Sequence, residues 1–211
     1  MTDIPGWIAG TERDVRRRPY SGGEPHAAVL RRTYEAPVDR VWEALTKPSE
    51  IQQWFLPVSG DLREGGNYQF EGNAGGRILE CRPHRIRLEW IYGDTPASEL
   101  TVTVSEAGAG STVELEHVGA GDDPSAAVQF ALAVGPGWDP ALVALGQHLA
   151  GQAPDASWWM ESPEAQDFTK RSIQEWASTL KGADVGNADE VDEVANASLA
   201  FYTGTGEPEQ G

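Results

Sequence analysis

The sequence contains very little cysteine, and Cys81 is the only one among its 211 residues. A single cysteine excludes an intramolecular disulfide and any metal site built from several thiolates. Chains without disulfides are the rule in reducing compartments. Residues 1–10 also show no basic segment followed by an apolar run, which a secretory leader would have. We therefore expect a cytoplasmic location.

Basic residues are also scarce, because 16 Lys and Arg stand against 33 Asp and Glu, giving a formal net charge of −17. Binding to a phosphate backbone or to an anionic lipid surface needs clustered Lys and Arg, so we expect neither nucleic acid nor a membrane as a partner. No segment approaches the ~20 consecutive apolar residues that span a bilayer. The charge is uneven, since the chain from Gly151 onward holds twelve acidic and three basic residues. This asymmetry predicts a boundary near Gly151.

The middle of the chain has the pattern of a β-meander. Glycine-rich turns separate short segments, and several of these alternate strictly between apolar and polar residues. Leu100, Val102 and Val104, for example, share one face of their segment. Such alternation predicts an antiparallel sheet with one buried and one solvent-exposed face. The predicted strands are 29–35, 67–71, 77–81, 85–92, 99–105 and 111–118.

Helical patterns lie on both sides of this meander. Residues 38–45 and 48–54 predict two short helices after the first strand. Residues 125–134 predict a short apolar helix that ends at Gly135-Pro136-Gly137. Asp139-Pro140 is then a typical start signal for a longer amphipathic helix.

The two ends of the chain differ in their patterns. Residues 1–27 show no sustained periodicity and predict an irregular arm. Ser162-Pro163-Glu164, and Asn187 with Glu190 three residues later, predict the starts of two further helices. Their amphipathic stripes need a surface to cover, on the domain itself or on a second copy in a homodimer.

Several short motifs occur in an order and spacing that together are fairly specific. They are Arg32-Thr33-Tyr34-Glu35-Ala36-Pro37, Val41-Trp42-Glu43-Ala44-Leu45-Thr46, Pro48, Trp54, Gly65-Gly66, Arg82-Pro83, Leu88-Glu89-Trp90 and Gly137-Trp138. In this order they resemble the START-like SRPBCC superfamily, and within it the branch of homologues of the ATPase activator of the 90-kDa heat-shock protein. The resemblance covers about residues 29–151. The tail resembles a C-terminal extension found on some bacterial members of that branch.

The resemblance implies an α+β helix-grip fold, in which an antiparallel sheet wraps around a long C-terminal helix with a ligand cavity between them. It divides the chain into an irregular N-terminal arm (1–27), a helix-grip domain (28–151) and an acidic extension with two helices (152–211). The superfamily includes lipid carriers, hormone receptors, polyketide cyclases and co-chaperone domains. The fold therefore does not by itself define the function.

Strand parity and the helix-grip analogy select a set of side chains for the wall of this cavity. The candidates are Trp54, Phe55, Tyr68, Phe70, Trp90, His117, Phe130, Trp138 and Leu142. Tyr68 and His117 are the polar groups of this set, and a neutral imidazole can donate to a ligand or act as a general base. The same positions are equally compatible with a filled core, and the sequence leaves that alternative open.

The predicted function is the non-catalytic binding of a small hydrophobic or amphipathic molecule, because no Ser/His/Asp or Cys/His series has a usable spacing. Two alternatives stay open. One is an enzyme of the cyclase or dehydratase type that uses His117 or Tyr68, and the other is a chaperone-linked or other protein-interaction module. A pair of His117 and His148 would lack a third metal ligand, and Gly72 to Gly76 lacks the Lys-Ser/Thr ending of a phosphate loop. We therefore predict no metal and no cofactor.

Overall fold

An antiparallel sheet of eight strands wraps around one long helix in this computed structural model, which describes residues 3–20, 23–119, 123–152 and 162–204. The strands are β1 (Thr11–Arg17), β2 (His26–Tyr34), β3 (Val58–Gly60), β4 (Asn67–Phe70), β5 (Gly75–Arg82), β6 (Arg85–Trp90), β7 (Ser98–Ala107) and β8 (Gly110–Val118). The helices are α1 (Ile4–Ala9), α2 (Val38–Thr46), α3 (Pro48–Ile51), α4 (Pro124–Leu149), α5 (Pro163–Gly182) and α6 (Ala188–Thr203). The strand order is β1-β2-β8-β7-β6-β5-β4-β3. The predicted α+β helix-grip fold is confirmed.

The prediction of an irregular N-terminal arm is wrong. Asp3 caps α1 by accepting a hydrogen bond from the backbone N–H of Gly6, at 3.0 Å. Strand β1 then pairs along its whole length with β2 and forms one edge of the sheet. The inward positions of β1 are Thr11, Arg13 and Val15, so only one of the three is apolar. The alternation that marks other strands is therefore missing from its sequence, and outward charges are common on such edge strands.

The predicted break at Gly135-Pro136-Gly137 is also wrong, since α4 runs unbroken from Pro124 to Leu149. Asp123 is its N-cap and accepts from the backbone N–H of Ala126 at 2.9 Å. By length and apolar composition α4 could cross a membrane, but 56% of that apolar window is buried inside this fold. Helix α4 therefore serves as the core helix that the sheet surrounds.

The extension satisfies a backbone carbonyl that proline leaves unpaired in α4. Pro136 has no N–H, so the carbonyl of Leu132 lacks its helical donor. Ser198 of α6 donates to that carbonyl at 2.7 Å, and the hydroxyl of Tyr202 donates to the neighbouring carbonyl of Ala133 at 2.6 Å. The local rule that proline ends a helix fails here because a distant helix compensates for the lost hydrogen bond.

Both helices of the extension begin where the sequence predicts. The side chain of Ser162 accepts from the N–H of Ala165, and that of Asn187 accepts from the N–H of Glu190. Trp176 of α5 is completely buried, and it lies where Gly135 of α4 has no side chain. A Cβ at Gly135 would come within 2.2 Å of the indole. The extension therefore covers a surface of its own domain.

Asp139 is buried inside α4, so the prediction that it starts a helix is wrong. Its carboxylate accepts two hydrogen bonds from Arg13 of β1, at 2.7 and 3.1 Å. It also accepts from the Ser172 hydroxyl at 2.5 Å and from the Trp176 indole at 3.1 Å, both in α5. This group of four side chains, called the Asp139 cluster below, joins the N-terminal strand, the core helix and the extension.

Candidate ligand cavity

A cavity of about 120 Å³ lies between the concave face of the sheet and the middle of α4. Helices α2 and α3 and the residues that follow them form a third side. The lining side chains are Leu45, Thr46, Ile51, Trp54, Phe55, Val58, Leu62, Tyr68, Phe70, Ile78, Cys81, Ile86, Leu88, Trp90, Leu100, Val102, Val113, Leu115, Trp138, Ala141 and Leu142. Leu62 and Cys81 are exposed members of this set, so the cavity reaches the surface beside them.

The structure brings seven of the nine predicted side chains to this cavity, namely Trp54, Phe55, Tyr68, Phe70, Trp90, Trp138 and Leu142. The aromatic rings among them also contact one another. The ring of Phe55 stacks on Trp138 with centroids 6.1 Å apart and meets Phe70 edge-on at 5.1 Å. Trp90 meets Trp138 edge-on at 5.0 Å. These contacts fix the shape of an aromatic wall before any ligand is present.

His117 does not face the cavity, which corrects its predicted role as a polar group in the wall. Its Nδ1 accepts from the indole N–H of Trp138 at 3.0 Å, so the ring proton is on Nε2. Nε2 donates to the hydroxyl of Ser98 at 2.8 Å, and that hydroxyl donates to the carbonyl of Trp90 at 3.0 Å. Burial lowers the pKa of His117 to about 3. The imidazole is therefore a neutral connection between the indole of Trp138 and, through Ser98, the backbone of Trp90.

Phe130 also lies outside the cavity. Its ring meets the imidazole of His117 edge-on at 5.0 Å. It also covers Gly119, where a Cβ would come within 2.6 Å of the ring. Phe130 therefore supports His117 from behind, away from the cavity.

The proton of the Tyr68 hydroxyl is not available to a ligand, although the tyrosine ring lines the cavity. It donates to the carbonyl of Glu89 at 2.8 Å. Burial is the main cause that raises the pKa of Tyr68 above its ordinary value. Tyr68 is therefore placed as an apolar surface and not as an acid or base.

Other hydrogen-bonding groups of the wall are occupied in the same way. The indole N–H of Trp54 donates to the carbonyl of Ala44 at 2.9 Å. The hydroxyl of Thr46 donates to the carbonyl of Trp42 at 2.7 Å. The cavity therefore presents a nearly apolar surface to whatever enters it.

A β-bulge explains why the sequence did not point to Cys81 as a lining residue. The register between β5 and β6 shifts between Ile78 and Glu80, so Leu79 has no partner on β6. Because of this extra residue, each later side chain of β5 points to the opposite face of the sheet from the one that strict alternation predicts. Cys81 consequently faces the same side as Ile78 and lines the cavity. Strict alternation in the sequence gives no sign of this shift.

The outer face of the same strands carries ion pairs. Arg85 and Arg87 pair with acidic residues on the neighbouring strands, since Nε of Arg85 lies 3.0 Å from Glu80 of β5 and Nη1 of Arg87 lies 3.1 Å from Glu99 of β7. Burial acts to raise the pKa of Glu80, but the guanidinium groups of Arg82 and Arg85 outweigh it and hold that pKa below its usual value. These arginines therefore belong to the sheet surface and not to the cavity.

Titratable groups in the described ranges do not gather into a metal site. Within those ranges, no three His, Cys, Asp or Glu side chains lie close enough together to hold an ion.

Comparisons with known proteins agree with this fold. A family model described as "Activator of Hsp90 ATPase homolog 1-like protein" matches residues 35–150. No curated protein matches the chain significantly. The crystal structure of CalU16 from Micromonospora echinospora is 39% identical, with a TM-score of 0.70, and the match covers 81% of this chain and 98% of CalU16. That share is larger than residues 35–150, so the likeness continues outside the family match.

Two further structures are similar. The solution structure of CalU16 is 37% identical with a TM-score of 0.72, and the match covers 82% of this chain and 96% of that one. DynU16, described as a protein of the dynemicin biosynthetic locus, is 23% identical with a TM-score of 0.51. That match covers 60% of this chain and 48% of DynU16, and at this identity it shows the fold alone.

Proposed function

Because the chain belongs to the Activator of Hsp90 ATPase homolog 1-like family, within the SRPBCC superfamily, we propose that it binds a small apolar molecule between the sheet and α4. The observation that carries this proposal is the cavity with its aromatic wall. Its polar neighbours are already bonded to the protein backbone, so it has little to offer a charged ligand and much to offer an apolar one.

The volume limits what can enter. Drug-sized ligands occupy pockets of roughly 300–1,000 Å³, whereas an engineered apolar cavity of about 150 Å³ holds one benzene molecule. A cavity of about 120 Å³ therefore suits one aromatic ring or a short alkyl chain. A larger ligand would insert such a group and leave its remainder at the opening beside Leu62 and Cys81.

Binding without catalysis is favoured over an enzyme. The two groups that the sequence offered for acid–base chemistry, His117 and Tyr68, are both bonded to protein partners.

A pair of matched variants on α4 tests the proposal. Ala141 lines the cavity, so Ala141→Leu fills it, while Ala133→Leu places the same side chain on the exposed face of the helix. Toluene serves as the single-ring probe and benzoate as its charged counterpart. Binding is followed by native mass spectrometry and by the shifts of the indole N–H signals in two-dimensional NMR.

We expect the unmodified protein and Ala133→Leu to bind toluene equally and more tightly than benzoate. Ala141→Leu should bind toluene at least about tenfold more weakly, since a filled cavity offers no space. The proposal is wrong if Ala141→Leu binds toluene as well as Ala133→Leu does, or if benzoate is the preferred ligand.

A further inference from the structure

A second pocket, of about 380 Å³, lies at the C-terminal end of α4. Trp7 of α1, residues 32–35 at the end of β2, and the last two turns of α4 surround it. Its volume is that of a pocket for a small organic molecule. It shares no lining residue with the cavity described above, so the two can be occupied independently.

Arg32 brings to this pocket a guanidinium group that is held in place and has no counter-ion. Its Nη1 donates to the carbonyl of Trp7 at 2.7 Å and to the hydroxyl of Thr11 at 2.9 Å. A Cβ at Gly10 would come within 3.2 Å of Nη1 and Nη2, so the glycine leaves space for the group. Among the residues that the structure describes, Nε and Nη2 have no hydrogen-bond partner and no carboxylate lies within ion-pair distance. One edge of a fixed planar fork is therefore free to donate to an anion.

Burial makes a partner for this charge favourable. It is the largest influence on the guanidinium of Arg32 and lowers its pKa below the ordinary value. The carboxylate that acts in the opposite direction, that of Asp139, is already bonded to Arg13. A charge that has lost part of its hydration gains more from an anion in contact with it than a fully hydrated charge does.

The other polar groups of the wall leave few acceptors for a ligand. The amide of Gln147 has its oxygen buried without a partner, so its NH₂ group is the end that remains accessible. The backbone carbonyls of Gly146 and Gln147 accept from the N–H groups of Ala150 and Gln152, at 3.0 and 2.9 Å. Glu35 is the one acidic side chain of this lining, and it is exposed at the rim, where solvent and salt screen its charge.

We propose that this pocket binds a small organic carboxylate that carries an apolar group. The two carboxylate oxygens accept from Nε and Nη2 of Arg32, and the NH₂ group of Gln147 is a further donor. The apolar group packs on Val143, Leu149 and the indole of Trp7. A cation would be repelled by Arg32, and a neutral molecule would leave the guanidinium without a counter-ion.

Titration of the full chain with 3-phenylpropionate, followed by ¹H–¹⁵N NMR, tests this. 3-Phenylpropanamide has nearly the same shape without the charge, and phenethylamine carries the opposite charge. Arg32→Lys keeps the charge but removes the planar fork, and Arg31→Lys makes the same change on the outer face of β2, where Arg31 pairs with Glu114. Glu35→Gln removes the carboxylate at the rim, and Glu24→Gln makes the same change before the opposite end of β2.

We expect saturable shifts of the backbone signals of Gly146 and Ala150 with 3-phenylpropionate, and binding at least about tenfold weaker for the amide and the amine. Arg32→Lys should weaken binding of the carboxylate by about tenfold or more, whereas Arg31→Lys should not change it. Glu35→Gln should strengthen it about twofold, because it removes a screened repulsion, and Glu24→Gln should leave it unchanged. Ala141→Leu should also bind the carboxylate normally, since Ala141 lines the other cavity.

Absence of saturation up to about 10 mM, equal binding of the amide or the amine, or an unchanged affinity in Arg32→Lys would overturn the proposal. If Arg32→Lys does not fold, the three ligands and Glu35→Gln, which alters only an exposed side chain, decide the matter. Weaker binding in Glu35→Gln would contradict a preference for anions. Loss of binding in Ala141→Leu would place the ligand in the apolar cavity and would equally refute this site.

Discussion

Replacement of Asp139 by asparagine is expected to be severely destabilising, although the two side chains have nearly the same shape. The Asp139 carboxylate accepts four hydrogen bonds, and its side chain and that of Arg13 are only 1% and 4% exposed. An asparagine would place an NH₂ group against donors, and the buried Arg13 charge would keep only the carbonyls of Ile8 and Thr11 as acceptors, with no negative charge beside it.

The magnitude follows from this burial. Removing one partner of a buried ion pair costs about 3–5 kcal/mol, because the remaining charge is no longer compensated. Asp192 provides the matched control, since it pairs with Lys181 at 2.6 Å and both side chains are well exposed, at 61% and 37%. Asp192→Asn should cost less than about 1 kcal/mol.

Urea denaturation followed by circular dichroism and tryptophan fluorescence gives the free energy of unfolding of each variant. If Asp139→Asn does not fold, the pair of Arg13→Met and Arg13→Met/Asp139→Asn still tests the reasoning. With no charge left at position 13, adding Asp139→Asn should cost at least about 1 kcal/mol less than it does in the unmodified protein. A loss in Asp139→Asn as small as that in Asp192→Asn would refute the account of the Asp139 cluster.

Three further outcomes are expected. The pKa of His117 is about 3 in the folded protein, against an ordinary value of 6.5 for a solvated histidine, so the unfolded chain takes up a proton first as the pH falls. The contribution of this group to the free energy of unfolding is complete above pH 6.5 and is lost as the pH falls towards 3. Between pH 7 and pH 5, the free energy of unfolding of His117→Gln should therefore fall by about 2 kcal/mol less than that of the unmodified protein, as measured by urea denaturation at each pH. Gly135→Ala should lower the melting temperature, because the added methyl group would overlap the indole of Trp176. Gly182→Ala should not lower it, because a Cβ there meets nothing within 4 Å. Equal melting temperatures of the two variants would contradict the packing described. Ser198→Ala should cost about 1–3 kcal/mol of unfolding free energy by leaving the Leu132 carbonyl without a donor, and a neutral result would show that this carbonyl has another partner.

The parts of the fold that the sequence predicts are those with local periodicity. Strand β7 alternates apolar and polar residues, so its buried face follows from parity alone. Strand β1 does not, because Arg13 takes an inward position and pairs with Asp139, which is 126 residues away in the chain. A contact of that kind turns a charged residue into a core residue, and no local pattern reveals it.

The candidate cavity shows the same limit. Parity correctly predicts that the side chain of His117 is buried, but the sequence does not show that Trp138 and Ser98 occupy both ring nitrogens. Those partners come from α4 and from the neighbouring strand. The bulge at Leu79 likewise depends on how β5 meets β6, and it brings Cys81 to the cavity without any trace in the pattern of residues.

The Asp139 cluster also has a consequence for how this protein can be cut and recombined. The part that is shared across the family, residues 35–150, excludes both Arg13 and the two α5 side chains that hold the Asp139 carboxylate. A fragment trimmed to those residues would expose a bare carboxylate in the middle of its core helix and would leave β8 with only β7 of its two partner strands. The segment that the family model matches is thus shorter than the segment that has to fold together.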